Sequence, residues 1–138
     1  DKKYIDSIVK VHQYNVSCAP SIVQWGALEG IRNCISDVEY MKEKFNERKD
    51  YLYNRLVAMG LEVEYPRGAF YIFPSIKKFN MSSEEFCERL LNEVKLAIVP
   101  GSAFGKGGEG FIRISYCYSL EQLKEAMDRL ENWIRNLK

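Results

Sequence analysis

The side chain here best suited to gripping a charged small molecule is Arg113, at the centre of the run Phe111-Ile112-Arg113-Ile114-Ser115. The alternation predicts a strand, and a strand turns successive side chains to opposite faces. Ile112 and Ile114 then share a face that suits a core, while Phe111, Arg113 and Ser115 share the other. A guanidinium stays charged and presents a planar fork that meets a carboxylate through two parallel hydrogen bonds. Pattern alone favours a solvated or ion-paired arginine at such a place, so the surroundings must decide. Immediately before the strand, residues 101–110 (GSAFGKGGEG) hold five glycines in ten positions. No GKS or GKT follows, and the next element is a strand rather than a helix N-terminus, which excludes a nucleotide-phosphate cradle. These glycines read as loop flexibility beside a binding site.

Other reactive residues offer less. Cys18, Cys34, Cys87 and Cys117 are far apart, form no CxxC pair, and have only His12 as an imidazole partner, so no metal site is expected. Reduced core thiols are the expectation for all four. The 138 residues suit a single domain with a core of useful size. Twenty basic residues against nineteen acidic ones leave no bulk charge to favour nucleic acid or a membrane surface. The first ten residues, DKKYIDSIVK, lack the apolar centre of a secretion signal, so a cytoplasmic protein is expected. The chain starts at Asp1 with no initiator methionine, inside a helical approach segment, and so has the look of a piece of something longer.

Positioning Arg113 requires a scaffold. Tyr4, Ile5, Ile8 and Val11 have helical spacing; the run 12–20 breaks it, and Pro20 fits the first turn of a new helix carrying Ile22, Trp25, Leu28, Ile31 and Ile35 as a largely buried stripe. A further helix is expected from an Asp37 cap, with Val38, Met41, Phe45, Leu52, Leu56 and Met59 on one side and Gly60 at its end. Residues 61–65 and 69–74 predict two strands joined by Pro66-Arg67-Gly68. Residues 82–95 predict a helix with a Ser82–Glu85 capping box and Met81 stapled on Phe86. A short strand at 96–100 and the Arg113 strand follow. A last helix, capped by Ser119 and Gln122, carries Leu120, Leu123, Met127, Leu130, Ile134 and Leu137. The order α-α-β-β-α-β-β-α implies an α/β (α+β) two-layer sandwich, a small, largely antiparallel sheet covered by helices. The division expected is a connecting helical segment over 1–36 and a compact domain over 37–138.

The segment 99–130 resembles the C-terminal signature of class I/II aminotransferases of fold type I, the aspartate aminotransferase-like enzymes. Pro100, Gly101, Phe104 and Gly105 match a PGxxFG loop; Gly110, Arg113 and Ser115 match a GxxRxS strand; Leu123, Glu125, Ala126, Arg129 and Leu130 match an LxEAxxRL helix. Upstream, Gly68-Ala69-Phe70-Tyr71 with Phe73-Pro74 matches the family's GAFY-x-FP strand, and Gln24 resembles part of the helix after the cofactor-lysine region.

What that resemblance implies is specific. Arg113 would hold the α-carboxylate shared by every amino acid substrate and 2-oxo acid product. Phe70 would border the active site, and Tyr14 and Asn15 would lie in a loop approaching the active site of the neighbouring subunit of a homodimer. Pyridoxal 5'-phosphate would be the cofactor, held mainly by a large domain whose lysine, pyridine-facing acid and phosphate donors precede this region. No lysine here has the family's serine-lysine context, so the chain alone should be inactive. Three alternatives stand beside this: a lyase or synthase of the same cofactor family, a ligand-sensing part of a transcriptional regulator, and a free-standing binding domain. The last predicts a polar, wet face around Phe111 and Arg113.

Overall fold

The structure is a computed structural model describing residues 1–137. They form helices α1 (Lys2–Asn15), α2 (Ser21–Asn33), α3 (Ile35–Ala58), α4 (Ser83–Val94) and α5 (Leu120–Asn136), and strands β1 (Tyr71–Ile72), β2 (Val99–Pro100) and β3 (Ile112–Ser115). Contacts divide the chain into two compact units, Asp1–Met41 and Lys42–Lys138, with the boundary inside α3. None of the described helices is long and apolar enough to cross a membrane.

In the first unit, Asp1 caps α1 by accepting a hydrogen bond from the Lys3 N–H at 3.0 Å. The helix runs through the expected break to Asn15, because His12, Gln13 and Tyr14 tolerate helix and only Val16, at φ −144°, leaves it. Tyr14 and Asn15 therefore occupy the last helical turn rather than a loop. Pro20 caps α2 rather than entering it. The expected burial of the α2 stripe is not found: Ile22, Trp25, Ile31 and Ile35 are exposed and Leu28 is only half-buried. An apolar stripe is buried only against an opposing surface, which this 41-residue unit does not contain.

The second unit closes a core. α3 starts at Ile35, ahead of the expected Asp37 cap, and buries only its C-terminal half, at Leu52 and Leu56. Gly60, at φ +71°, ends it as expected, with the Leu61 N–H donating to the Leu56 carbonyl at 3.1 Å. The three strands form one antiparallel sheet in the order β1-β3-β2, with Tyr71 opposite Ser115 and Val99 opposite Arg113. From the inner face Ile72, Ile112 and Ile114 meet Leu52 and Leu56 of α3, Phe86 and Leu90 of α4, and Leu123, Met127 and Leu130 of α5. This is the expected helix-covered antiparallel sheet, with shorter strands.

Residues 61–65 form no strand. Their alternation serves packing instead: Leu61 is buried, and the Tyr65 ring stands edge-on to Tyr53 at 5.1 Å while its hydroxyl donates to Asp50. One hydrogen bond, from the Ser75 N–H to the Glu62 carbonyl, links that stretch to the chain beyond β1. The α4 cap is also half different. Ser82 accepts from the Glu85 N–H at 3.1 Å as expected, while Glu109, from the glycine-rich segment, accepts from a different donor, the Ser83 N–H, at 2.8 Å. The Ser119–Gln122 capping box of α5 is complete. Trp133, absent from the expected stripe, is buried, meets Phe86 edge-on at 4.9 Å and donates its indole N–H to Glu93. Of the cysteines only Cys87 lies in the core; Cys18 and Cys117 are exposed, Cys34 is intermediate, and none of the four is in a disulfide.

Candidate carboxylate-binding site

β3 is the central strand, so both neighbours determine what stands beside Arg113. Ile112 and Ile114 point into the core and are buried, while Arg113 and Ser115 are half-buried on the opposite face. Residues paired across a sheet share a face. Tyr71 of β1, opposite Ser115, and Val99 of β2, opposite Arg113, therefore join the arginine there.

Two aromatic rings bracket the guanidinium. Its carbon lies 4.1 Å from the Tyr71 ring centroid and 4.3 Å from that of Phe104. Phe104 ends a short 3-10 turn, Gly101–Phe104, anchored by the Gly101 N–H donating to the Phe111 carbonyl at 2.8 Å. This turn requires glycine for proximity. A Cβ on Gly101 would stand 2.1 Å from the Gly108 carbonyl oxygen, and one on Gly108 would stand 2.0 Å from that of Gly101. The glycine-rich segment is thus not a flexible loop: at Gly101 and Gly108 it is two stretches of backbone pressed together, which fixes where Phe104 sits.

Beyond the bracket the aromatic surface continues. Phe73 stacks on Phe111 at 5.6 Å and meets Phe104 edge-on at 6.2 Å. The outer face of the sheet is therefore paved with rings, not polar and wet as a free-standing binding domain would have it. Beside Arg113 opens a cleft of about 600 Å³, whose lining includes Tyr71, Ile98, Val99, Ser115, Tyr118 and Arg129.

Among the described residues the arginine at the centre pairs with no acid. Arg55, Arg89, Arg129 and Arg135 each pair with a carboxylate, while among the described residues Arg32, Arg48 and Arg67 do not. Among the described residues Arg113 has no such pair and no hydrogen bond, and it rests against the two rings. A half-buried cation with its donors unengaged can take an external anion, and the planar fork suits a carboxylate.

Phe70 reaches this centre only through its neighbour, its ring lying 4.5 Å from that of Tyr71 and 6.4 Å from Phe45. Its approach is fixed by Ala69, held in the left-handed region at φ +60°, whose carbonyl accepts the buried Tyr116 hydroxyl at 3.0 Å. The Tyr116 N–H donates to the Phe70 carbonyl, also at 3.0 Å. Tyr14, 93% exposed, and Asn15 belong to the other unit. Sequence reasoning missed Tyr71 and Phe104. Both lay inside the quoted motifs, but only the β1–β3 register and the Gly101–Gly108 contact identify them as the arginine's neighbours.

The described residues do not fit pyridoxal phosphate in the same way. A covalent attachment needs an amine that can shed its proton in a pocket shielded from water. None of the described lysines is buried. The Tyr65 hydroxyl beside Lys49 raises that amine's pKa, Lys78 donates to the Met59 and Gly60 carbonyls, and Lys95 donates to the Asn92 carbonyl. Each is a setting that suits the cation. What these residues offer fits a carboxylate rather than an aldehyde.

Residues 1–130 match the family of class I and II aminotransferases. The chain is 53% identical over 127 residues to the probable N-acetyl-LL-diaminopimelate aminotransferase of Bacillus subtilis, covering 92% of this chain and 32% of that protein. It is 46% identical over 136 residues to the aspartate aminotransferase of Pyrococcus abyssi, covering 97% of this chain and 35% of that protein. The crystal structure of an aromatic aminotransferase from Pyrococcus horikoshii matches 95% of this chain and 36% of its own, with a TM-score of 0.90 and 41% identity. The chain thus spans about a third of the length of the relatives it matches. With a family match over residues 1–130 and relatives 46% and 53% identical, the chain belongs to the class I and II aminotransferase family.

Proposed function

We propose that this chain is the C-terminal small-domain part of a pyridoxal phosphate-dependent aminotransferase, which moves an amino group between an amino acid and a 2-oxo acid. Arg113 grips the α-carboxylate common to both, so one clamp serves both half-reactions and orients the reacting carbon. Residues 1–36 are the connection to a large domain that binds the cofactor, and 37–138 are the small domain. Phe70 borders the site through Tyr71. Tyr14 and Asn15 face the active site of the neighbouring subunit of a homodimer, in the cytoplasm. The observation that carries this reading is a half-buried guanidinium, bracketed by rings and free of any internal carboxylate among the described residues.

In the full-length protein, Arg113→Ala is expected to lower kcat/KM for the amino acid by about a hundredfold or more, the scale of a bidentate charged contact, with Arg113→Lys restoring only part. Unchanged kinetics would end the assignment. The 138-residue polypeptide by itself is expected to be inactive. Treated with pyridoxal phosphate and borohydride and then mapped by mass spectrometry, it should show only scattered, substoichiometric lysine labelling. One stoichiometric label would refute that.

A further inference from the structure

We propose that Tyr71 and Phe104 are positioning residues that hold the Arg113 guanidinium edge-on to an incoming carboxylate, an assignment that rests on the clamp reading above. An arginine kept half-buried without ligand must satisfy its charge somehow. An internal carboxylate would do so but would occupy the fork that the ligand needs, as Asp128 and Glu131 occupy that of Arg55 at 2.8 Å each. Aromatic faces attract the cation through their quadrupole and leave the in-plane N–H donors unused. The two rings at 4.1 and 4.3 Å therefore stabilise the charge without competing for it.

The bracket is built from both sides of the central strand. Tyr71 comes from β1, and Phe104 comes from the turn that follows β2. Each wall is backed by a further ring, Phe70 at 4.5 Å behind Tyr71 and Phe73 at 6.2 Å beside Phe104. With a ring over each face, the guanidinium would be closed to a stacked ligand. It accepts one that approaches in its plane, which is how a carboxylate binds bidentately.

The test uses the full-length protein and the α-amino acid that the parent turns over fastest in a panel. Tyr71→Leu and Phe104→Leu are each expected to raise KM for amino acid and 2-oxo acid alike by about five- to thirtyfold, with kcat within about twofold. Tyr71→Phe and Phe104→Tyr restore KM to near the parent value, and in an Arg113→Leu background the two leucine changes add nothing. If Arg113→Leu raises KM and the leucine variants do not, the bracket is overturned while the clamp stands. Parent-like KM in Arg113→Leu overturns the clamp itself. A KM increase that persists undiminished in the Arg113→Leu background assigns the rings to folding and also overturns the bracket. Should Phe104→Leu not fold, pentafluorophenylalanine at 104 keeps the ring's shape and reverses its quadrupole; a parent-like KM there also defeats the proposal.

Discussion

In the segment Asp1–Met41, Ile22, Trp25 and Ile31 are 80%, 71% and 83% exposed, whereas in Lys42–Lys138 Leu52, Leu56, Phe86 and Leu130 are wholly buried. The two regions do not differ in helix-forming signals. Both have capped helices with apolar side chains at helical spacing. They differ in whether an opposing surface is present. In the second unit a sheet and two further helices meet α3, so its stripe becomes core. In the first, local propensity defines α1 and α2, with a side-chain cap on α1 alone, but the apolar side chains find nothing to bury them. Helix formation and core formation are thus separable, and an exposed stripe of this size marks a surface made to be covered. On the reading proposed above, the rest of the protein covers it.

The largest effect that tests this contrast is on the core side. In the 138-residue polypeptide, Phe86→Ala removes a ring that packs against Phe79 and Trp133 and is expected to cost about 3–5 kcal/mol of unfolding free energy in urea titrations. Ile31→Ala in the same polypeptide should change it by less than about 0.5 kcal/mol. In the longer protein the Ile31 change should rise toward the range of about 2–5 kcal/mol seen for buried isoleucines. Equal losses from both substitutions in the polypeptide would break the comparison.

The same contrast explains how much could be read from the sequence. Helical spacing, the Gly60 terminator and the Ser119–Gln122 box correctly placed the end of α3 and the start of α5, because caps and periodicity are local. The alternation around Arg113 correctly separated Ile112 and Ile114 from it. The failures have a non-local cause. The α2 stripe gave no sign that the described residues place no surface against it. The alternation at 61–65 does not reveal that its side chains pack on α3 instead of pairing as a strand. Trp133 is buried because Phe86 stands across from it, and Tyr71 and Phe104 flank the arginine because of a register and a glycine contact. Composition contains neither.

A smaller effect sharpens the comparison through the thiols. Cys87 is 8% exposed, and burial pushes its thiol pKa up from 9.0 to about 11. Cys18, in the first unit, is exposed. A buried acid whose proton is held more tightly in the fold than in the unfolded chain stabilises fully below the unfolded value. That stability declines as the pH climbs from about 9 and is gone once it passes the folded value. Tyr116, also raised by burial, and Lys49, raised by the Tyr65 hydroxyl, weaken the fold in the same direction at high pH. The Cys87 share is isolated as the difference between parent and Cys87→Ala. Unfolding free energies of the two should converge by about 1–2 kcal/mol between pH 9 and 11. Alkylation of the polypeptide at pH 8 should label Cys18 and Cys117 within the time that leaves Cys87 unmodified. Equal labelling of Cys18 and Cys87 would mean that the second unit opens as readily as the first lies open, and its sealed core would no longer be what distinguishes them.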